Sequence, residues 1–258
     1  WVSNAGVAIY AKLMDTPLEM HERMFRTNYF GTVHSAQAAV PHLRGGGALI
    51  VIGSIASDIP SPIMSAYAAT KHAVKAYVGA LRTELGADEL PISITLVKPS
   101  GIDTPIGQHA YNSAPGEAQI PPPVYDPKLV AEAILDSAVR PRREITVGGV
   151  GRAETLFAEH FPRVLEWLAP REAAALTNPE KPQPKPSNLF EPVRGGRERS
   201  GEHPAARQTS VYTSAHLHPK TTAAIALAGL AVGAAAWAAH RPSRTERLRR
   251  RWLKDAND

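Results

Sequence analysis

Residues 48–71 read ALIVIGSIASDIPSPIMSAYAATK, and they join an apolar run to a helical pattern. The first seven residues of this stretch, 48–54, are almost continuously apolar, which is typical of a parallel strand buried on both faces. From about residue 64 to residue 84, apolar side chains recur at helical spacing, which predicts a helix. The stretch therefore predicts a strand followed by a helix, the repeating unit of an α/β protein.

The alternation of strand and helix continues on both sides of this stretch. Further apolar runs occur at residues 92–97 and 144–147, and residues 1–2 resemble the end of a strand. The helical patterns between them cover residues 17–24, 28–42 and 126–139. We therefore predict an α/β fold, a Rossmann-like doubly wound parallel sheet whose first strands are missing from this chain.

Residues that could carry chemistry occur in order along this framework. Ser54 ends the first strand of the stretch, and Tyr67 and Lys71 follow it with the spacing YxxxK. Because residues four apart on a helix share one face, this phenol and this ammonium are expected side by side. Two groups that follow strands and one residue near a helix start complete the set: Ser3-Asn4-Ala5-Gly6, Pro99-Ser100-Gly101-Ile102-Asp103-Thr104 and Asn28.

This constellation resembles the short-chain dehydrogenase/reductase family over roughly residues 1–150. The family's NNAG strand end appears as SNAG, and its PGxVxT segment appears as PSGIDT, with Ser100 in place of glycine. The resemblance implies four catalytic residues, Asn28, Ser54, Tyr67 and Lys71. It implies a cofactor-binding set made of Asn4, Ala5, Gly6, Tyr67, Lys71, Pro99, Gly101, Ile102 and Thr104.

The activity that the resemblance implies is the interconversion of an alcohol and a ketone or aldehyde, with NAD or NADP as cofactor. Because a phenol titrates at about pH 10, we expect the Lys71 ammonium to lower the pKa of Tyr67 so that it acts as general acid and base. Ser54 is expected to hold the substrate oxygen. By resemblance, Lys71 also binds the nicotinamide ribose, Asn28 holds a water of the proton relay, and Thr104 contacts the nicotinamide end.

The family's glycine-rich TGxxxGxG turn, which receives the cofactor pyrophosphate at a helix N-terminus, has no counterpart in the sequence. At about 30 residues for each βαβ unit, the missing strands and helices correspond to roughly 75–90 residues before residue 1. We therefore expect an N-terminally truncated member of the family with a C-terminal extension. This chain alone is expected to bind the dinucleotide poorly and to be inactive.

The second half of the chain is less regular. Residues 105–126 form a connection with proline and glycine, which is equally compatible with a substrate lid and a long surface loop. Residues 151–168 predict an amphipathic helix that is bent or broken at Pro162. Because residues 170–220 contain much proline and charge but few large apolar side chains, we predict a disordered linker there and end the catalytic domain at residue 169.

Residues 221–258 form a third region, which begins with nineteen uncharged residues and ends with seven basic residues among the last nineteen. An Ala-rich helix over residues 221–239 would be about 28 Å long, close to the roughly 30 Å of a bilayer core. Three interpretations stay open: a transmembrane anchor, a helix on an anionic membrane surface, and a helix packed on protein. Nucleic acid is not expected as a partner, because Trp252 is the one aromatic residue among the arginines of the tail.

The composition excludes several other kinds of site. The absence of cysteine excludes disulfides, thiolate zinc sites and cysteine nucleophiles, and it fits the cytoplasm. The ten histidines show no HxxxH or HExxH spacing, so no metal site is expected.

The Ala and Gly residues of the helix at residues 64–85 predict a homo-oligomer. The alternative to an enzyme is a non-catalytic, membrane-associated scaffold that retains the fold, although a scaffold has no need of the four catalytic residue types.

Overall fold

The computed structural model describes residues 1–240, which divide into two units. The first unit runs from Trp1 to Leu217, and the second begins at His218. The arginine-rich tail, residues 241–258, lies outside the described residues. The predictions about that tail therefore concern its sequence only.

The described residues form eight strands and nine α-helices. The strands are β1 (Val2–Ser3), β2 (Ile9–Tyr10), β3 (Gly47–Ile52), β4 (Ile92–Pro99), β5 (Tyr111–Asn112), β6 (Glu117–Ala118), β7 (Glu144–Val147) and β8 (Thr177–Asn178). The helices are α1 (Leu18–Phe25), α2 (Gly31–Leu43), α3 (Ser65–Ala87), α4 (Ile106–His109), α5 (Pro127–Val139), α6 (Gly149–His160), α7 (Pro162–Ala175), α8 (Val211–Leu217) and α9 (Pro219–Ala239).

A four-stranded sheet in the order β1-β3-β4-β7 forms the centre of the first unit. All three strand pairs are parallel. The pairing of β3 with β4 extends from Gly47 opposite Ile92 to Ile52 opposite Val97. The apolar runs of the sequence therefore become neighbouring parallel strands, and the predicted α/β fold is confirmed.

Helices cover both faces of this sheet. Successive side chains of a strand point to opposite faces. Leu49 and Val51 accordingly pack with Val74 of α3, whereas Ile50 packs on the other face with Leu129 of α5. The nearly complete burial of β3 on both sides explains why its sequence is almost continuously apolar rather than alternating. This two-sided covering is the doubly wound arrangement that the sequence predicts.

The connection at residues 105–126, called the lid below, contains regular structure. It forms α4, β5 and β6, of which β5 pairs in parallel with β2 and β6 pairs antiparallel with β8. Its residues Ala110 and Ala118, each 1% exposed, lie in one apolar cluster with Tyr67. Of the two interpretations of this connection, the packing favours a lid over a loose surface loop.

The predicted disordered linker at residues 170–220 is wrong for its part up to Leu217. Helix α7 continues through Pro170 to Ala175, β8 follows, and α8 packs against α5. Leu189 is 1% exposed within the apolar cluster of Tyr67. The first unit therefore ends at Leu217 rather than at residue 169. Composition misled the prediction because a few scattered apolar side chains and many hydrogen bonds hold this segment in place.

The second unit contains α9, which has 21 residues. Among residues 1–240, α9 alone is long and apolar enough to cross a membrane, with a mean hydropathy of 1.8. At about 100° per residue, its exposed Ile225, Leu227, Leu230 and Val232 point in widely different directions around the helix. The helix is therefore apolar on all sides and lacks a polar face.

Candidate functional site

Helix α3 carries Tyr67 and Lys71 on the face that packs toward the end of β3. Both residues are almost fully buried, with exposed fractions of 8% and 5%. The Lys71 ammonium donates a hydrogen bond to the carbonyl oxygen of Ile52 (2.9 Å) and lies 5.7 Å from the centre of the Tyr67 ring. The four-residue spacing on one helix thus places the phenol and the ammonium in one buried site.

Ser54 follows the carboxyl end of β3 and begins a short 3-10 turn, Ile55–Ser57. Its hydroxyl oxygen accepts a hydrogen bond from the Ala56 amide (3.1 Å), and its own amide donates to the Ser57 hydroxyl (3.3 Å). The Ser54 side chain also lies close enough to the Tyr67 phenol to act to lower its pKa. Ser54 is therefore both the cap of this turn and a partner of Tyr67.

Asn28 lies in one turn of π-helix, Arg26–Phe30, between α1 and α2, and is 1% exposed. Its side-chain oxygen accepts from the Val7 amide (2.9 Å), and its NH₂ group donates to the Val7 carbonyl (3.0 Å) and to the Thr70 hydroxyl (3.0 Å). Asn28 therefore clamps the segment after β1 onto α3. With both amide hydrogens used, only oxygen lone pairs remain for the water that the resemblance assigns to this residue.

Burial dominates the titration of Tyr67 and Lys71. Burial raises the pKa of Tyr67 to about 12, although the nearby Ser54 side chain acts to lower it. Burial likewise lowers the pKa of Lys71 to about 8. Both shifts arise because removal of water disfavours the charged form of each group. The expectation of a lowered Tyr67 pKa is thus not met, and the phenol holds its proton at neutral pH.

An open position lies beside the ammonium of Lys71. A Cβ atom on Gly6 would come 3.8 Å from Lys71 Nζ and 3.5 Å from Asn28 Oδ1, so the missing side chain leaves space between these groups. Asn4 and Ala5, which precede Gly6, are exposed. Within residues 1–240, one of the three ammonium hydrogens is used, by the Ile52 carbonyl. The two remaining donors and the open space fit a hydroxyl-bearing ligand such as the ribose of a nicotinamide nucleotide.

The segment after β4 follows the strand that neighbours β3. Pro99 ends β4, Ile102 is buried, and its carbonyl accepts a hydrogen bond from the Thr104 amide (2.7 Å). A Cβ atom on Gly101 would come 2.9 Å from a methyl group of Ile120, so the lid packs closely onto this turn. Within residues 1–240, the described hydrogen bonds connect Asn28 to α3. They do not connect Thr104 to Ser54, Tyr67 or Lys71.

Ser100, which stands where the family has glycine, is accommodated by another glycine. Its hydroxyl donates a hydrogen bond to the Val147 carbonyl (2.8 Å). A Cβ atom on Gly151 of α6 would come 2.4 Å from the Ser100 Cβ. The absence of a side chain at Gly151 therefore provides the room that Ser100 occupies.

Tyr10 is a second phenol beside Tyr67 that the motif search does not find. It lies in β2, is 2% exposed and belongs to the same apolar cluster. Burial raises the pKa of Tyr10, and the neighbouring charge of Tyr67 raises it further. Its signal in the sequence is weak: a hydroxyl-bearing aromatic residue within the short apolar run that follows Gly6.

Asp58 ties the turn that follows Ser54 to two neighbouring elements. Its carboxylate pairs with Lys75 of α3 and accepts a hydrogen bond from Lys98 of β4 (2.7 Å). Lys98 also binds Glu144 of β7 (2.6 Å). Burial opposes ionisation of Asp58, but the hydrogen bonds from both lysines outweigh burial and lower its pKa. This charge network fixes the turn relative to the helix of Tyr67.

The arrangement combines a buried proton donor, a neighbouring cation and a hydroxyl held by a turn. These groups suit proton transfer to or from a ligand oxygen, with hydrogen-bonding support of the developing charge. Among residues 1–240, His, Asp and Glu side chains form no group of three that could hold a metal ion.

Comparison with known proteins decides the family. The family model described as short chain dehydrogenase matches residues 1–114. The chain is 35% identical over 242 residues to the uncharacterized oxidoreductase YxnA of Bacillus subtilis, over 92% of this chain and 68% of that protein. The chain belongs to the short-chain dehydrogenase/reductase family. It is also 30% identical over 162 residues to dehydrogenase/reductase SDR family member 7B of Danio rerio, over 60% of this chain and 52% of that protein. The chain thus spans about half to two thirds of the length of these curated relatives.

Solved structures show the same fold. A short-chain dehydrogenase/reductase from Burkholderia phymatum in complex with NAD superposes with a TM-score of 0.56 at 19% identity, over 70% of this chain and 68% of that one. A short-chain dehydrogenase from Burkholderia cenocepacia in complex with NADP gives 0.54 at 24% identity, over 65% and 67%. At these identities the likeness concerns the fold, and it agrees with the predicted Rossmann-like architecture.

Proposed function

We propose that this member of the short-chain dehydrogenase/reductase family interconverts an alcohol and a ketone or aldehyde with NAD or NADP. The observation that carries the proposal is the buried contact of Tyr67 with Lys71 and Ser54. The presence of NAD and NADP in two proteins of the same fold supports this choice of cofactor. When bound, the nicotinamide supplies or accepts the hydride, and the residues of the chain position the substrate and move the proton.

The proton path follows from the protonation states at the site. In the reducing direction, the Tyr67 phenol, protonated at neutral pH, donates its proton to the carbonyl oxygen. The Ser54 hydroxyl, held by its turn, donates a hydrogen bond to the same oxygen. In the oxidising direction the Tyr67 phenol first releases its proton to water, and the Lys71 cation stabilises the resulting phenolate. This phenolate then accepts the proton of the alcohol.

The cofactor contacts that we propose use groups left free around this centre. The two remaining hydrogens of Lys71 would bind ribose hydroxyls across the space at Gly6. The exposed Asn4 and Ala5 would lie along the nucleotide. The nicotinamide end would lie against the segment after β4, which contains Pro99, Gly101, Ile102 and Thr104.

Replacement of the phenol oxygen tests the proposal. In Tyr67→Phe of the full-length protein, turnover of a panel of aldehydes and ketones, followed by nicotinamide absorbance, should fall about 10²- to 10⁴-fold because the proton donor is lost. Tyr77→Phe is the matched control, since it removes a phenol oxygen from the same helix where the ring packs against Tyr29. Unchanged turnover in Tyr67→Phe would show that the assigned mechanism is wrong and would favour the non-catalytic scaffold.

We further propose that the second unit attaches the protein to a membrane through α9, while the first unit lies in the cytoplasm. The length, mean hydropathy and all-round apolar surface of α9 support burial in lipid. An interfacial helix would show one polar and one apolar face, which α9 does not.

A further inference from the structure

The lid is too small to hold its own conformation. Its one helix, α4, has four residues, and its two strands, β5 and β6, have two residues each. Isolated helices and hairpins of this size are not stable in water. The conformation of the lid must therefore be held by contacts from other parts of the chain.

Residues 176–207, called the strap below, supply these contacts along the length of the lid. The Glu117 amide donates to the Lys181 carbonyl (2.8 Å), which extends the pairing of β6 with β8. The Asn188 amide donates to the His109 carbonyl (2.7 Å) at the end of α4. The strap thus holds the lid from its last strand to its short helix.

Gln183 lies between these two attachments and joins the parts of the lid to one another. Its oxygen accepts two hydrogen bonds from the lid, and its NH₂ group donates toward three carbonyl oxygens at α4. The lid groups are Asn112 Nδ2 (2.9 Å), the Ala118 amide (2.8 Å), and the carbonyls of Gly107 (3.2 Å), Gln108 (3.4 Å) and Ala110 (3.3 Å). One side chain of the strap therefore connects α4, β5 and β6.

The lid in turn reaches the catalytic tyrosine. Its strand β5 pairs with β2, and the Tyr111 amide donates to the Ala8 carbonyl (3.2 Å). Tyr10 in β2 neighbours Tyr67, and Ala110 and Ala118 share the apolar cluster of Tyr67. A change in the position of the lid would therefore reach the substrate side of Tyr67 directly.

We propose that Gln183 is a positioning residue that keeps the lid closed beside Tyr67, so that the strap forms part of the substrate site. Its catalytic consequence rests on the proposed oxidoreductase function, whereas its effect on the lid does not. Within residues 1–240, the hydrogen bonds of the Gln183 side chain all go to the lid. None of them goes to Ser54, Tyr67 or Lys71. Its loss should weaken substrate binding and leave the proton-transfer groups in place.

The first experiment measures hydrogen exchange of the lid amides in the intact protein. Gln183→Met keeps a similar volume but removes all the hydrogen bonds, so exchange at residues 106–119 should become about 10- to 100-fold faster. Gln208→Ala removes an exposed glutamine from the same C-terminal region and should leave lid exchange unchanged. Equal exchange in the native protein and Gln183→Met would overturn the proposal.

Gln183→Glu adds a readout that a general loss of stability would not produce. The variant has the same shape, but a carboxylate oxygen would face the three carbonyls of α4 and repel them. Lid exchange, compared with the native protein at each pH, should therefore be fast at pH 7. It should approach the native rate as the pH falls through about 4.3, where a glutamate carboxyl is protonated. A difference from the native protein that stays constant with pH would contradict the assigned role.

Kinetics separates this inference from the proposed function. In Gln183→Met the KM for the carbonyl substrate should rise about tenfold while kcat changes less, because the reacting groups stay in place. A fall in kcat with unchanged KM would indicate a merely structural role for Gln183. Turnover that is insensitive to Tyr67→Phe would instead reject the proposed function, and the exchange results would still decide the role of Gln183 in the lid.

Discussion

At the residue scale, burial of the Lys71 ammonium lowers the free energy of unfolding. Burial lowers its pKa from 10.5 to about 8, so the folded protein disfavours the ammonium by about 3 kcal/mol relative to the unfolded chain. Its hydrogen bond to the Ile52 carbonyl offsets about 1 kcal/mol of this penalty. In the proposed mechanism, a cation held in this position would serve the chemistry of Tyr67 at the expense of stability.

Lys71→Met should therefore stabilise the protein while it abolishes the proposed activity. Below about pH 8 the native ammonium carries the full penalty, and the penalty disappears as pH rises from 8 to 10.5 because the unfolded chain then also loses its proton. Urea unfolding should show a gain of about 1–2 kcal/mol at pH 7 and none near pH 10.5.

Lys75→Met is the matched control for this prediction. It removes a lysine one turn further along α3, but that ammonium pairs with Asp58 and is 40% exposed. Its removal should reduce stability at pH 7, opposite in sign to the effect of Lys71→Met. Equal destabilisation by both variants would show that the burial of Lys71 carries no penalty.

Single residues were predictable from the sequence where a motif specifies spacing. The YxxxK spacing indicates that Tyr67 and Lys71 share a helix face, and both are buried on it. The direction of the Tyr67 pKa shift was not predictable, because burial by residues distant in sequence outweighs the local contact with Ser54. The side-chain clamp of Asn28 on Val7 likewise depends on tertiary packing.

Elements of structure were predictable where burial imposes a pattern. The continuous apolar runs identify β3 and β4, because parallel strands covered on both faces need apolar side chains throughout. The lid and the strap follow no such rule. They are held by scattered polar contacts such as those of Gln183. Such contacts produce no periodic pattern and no distinctive composition in the sequence. The same polar, proline-rich composition is typical of a linker, which explains the wrong prediction for residues 170–217.

Helix α3 carries a second face that we expect to bind another copy of the chain. Opposite its buried face, exposed residues recur at intervals of three and four and are mostly small: Ala69, His72, Ala76, Ala80 and Thr83. Small side chains allow two helices to approach closely and pack along their length. The outward stripe of α3 therefore supports the predicted homo-oligomer.

Charges on this stripe should separate the subunits. The double variant Ala76→Glu with Ala80→Glu would place like charges from both copies in one contact, so light scattering should report a monomer where the native protein gives a dimer or larger. Ala131→Glu adds a charge at an exposed position of α5 and should keep the native mass. A native protein that is monomeric at all concentrations would contradict the prediction.

At the scale of the whole molecule, α9 is the element on which the proposed membrane attachment depends. Its 21 residues span about 31 Å, which matches the thickness of a bilayer core. The basic tail that follows in the sequence would by itself give a salt-sensitive attraction to anionic lipid. Insertion of α9 would instead depend on apolar surface, so the two kinds of attachment respond differently to salt and lipid charge.

Flotation with vesicles distinguishes these two kinds of attachment. If α9 inserts, the protein should float with neutral phosphatidylcholine vesicles and stay bound at high salt. Leu227→Arg with Leu230→Arg places two charges near the middle of the helix, where each opposes insertion by about 2.5–3.5 kcal/mol, and should abolish flotation. Thr221→Arg with Thr222→Arg adds the same charges at the helix end, where arginine reaches the interface, and should leave flotation intact. Binding that requires anionic lipid and is lost at high salt in the native protein would assign attachment to the basic tail rather than to α9.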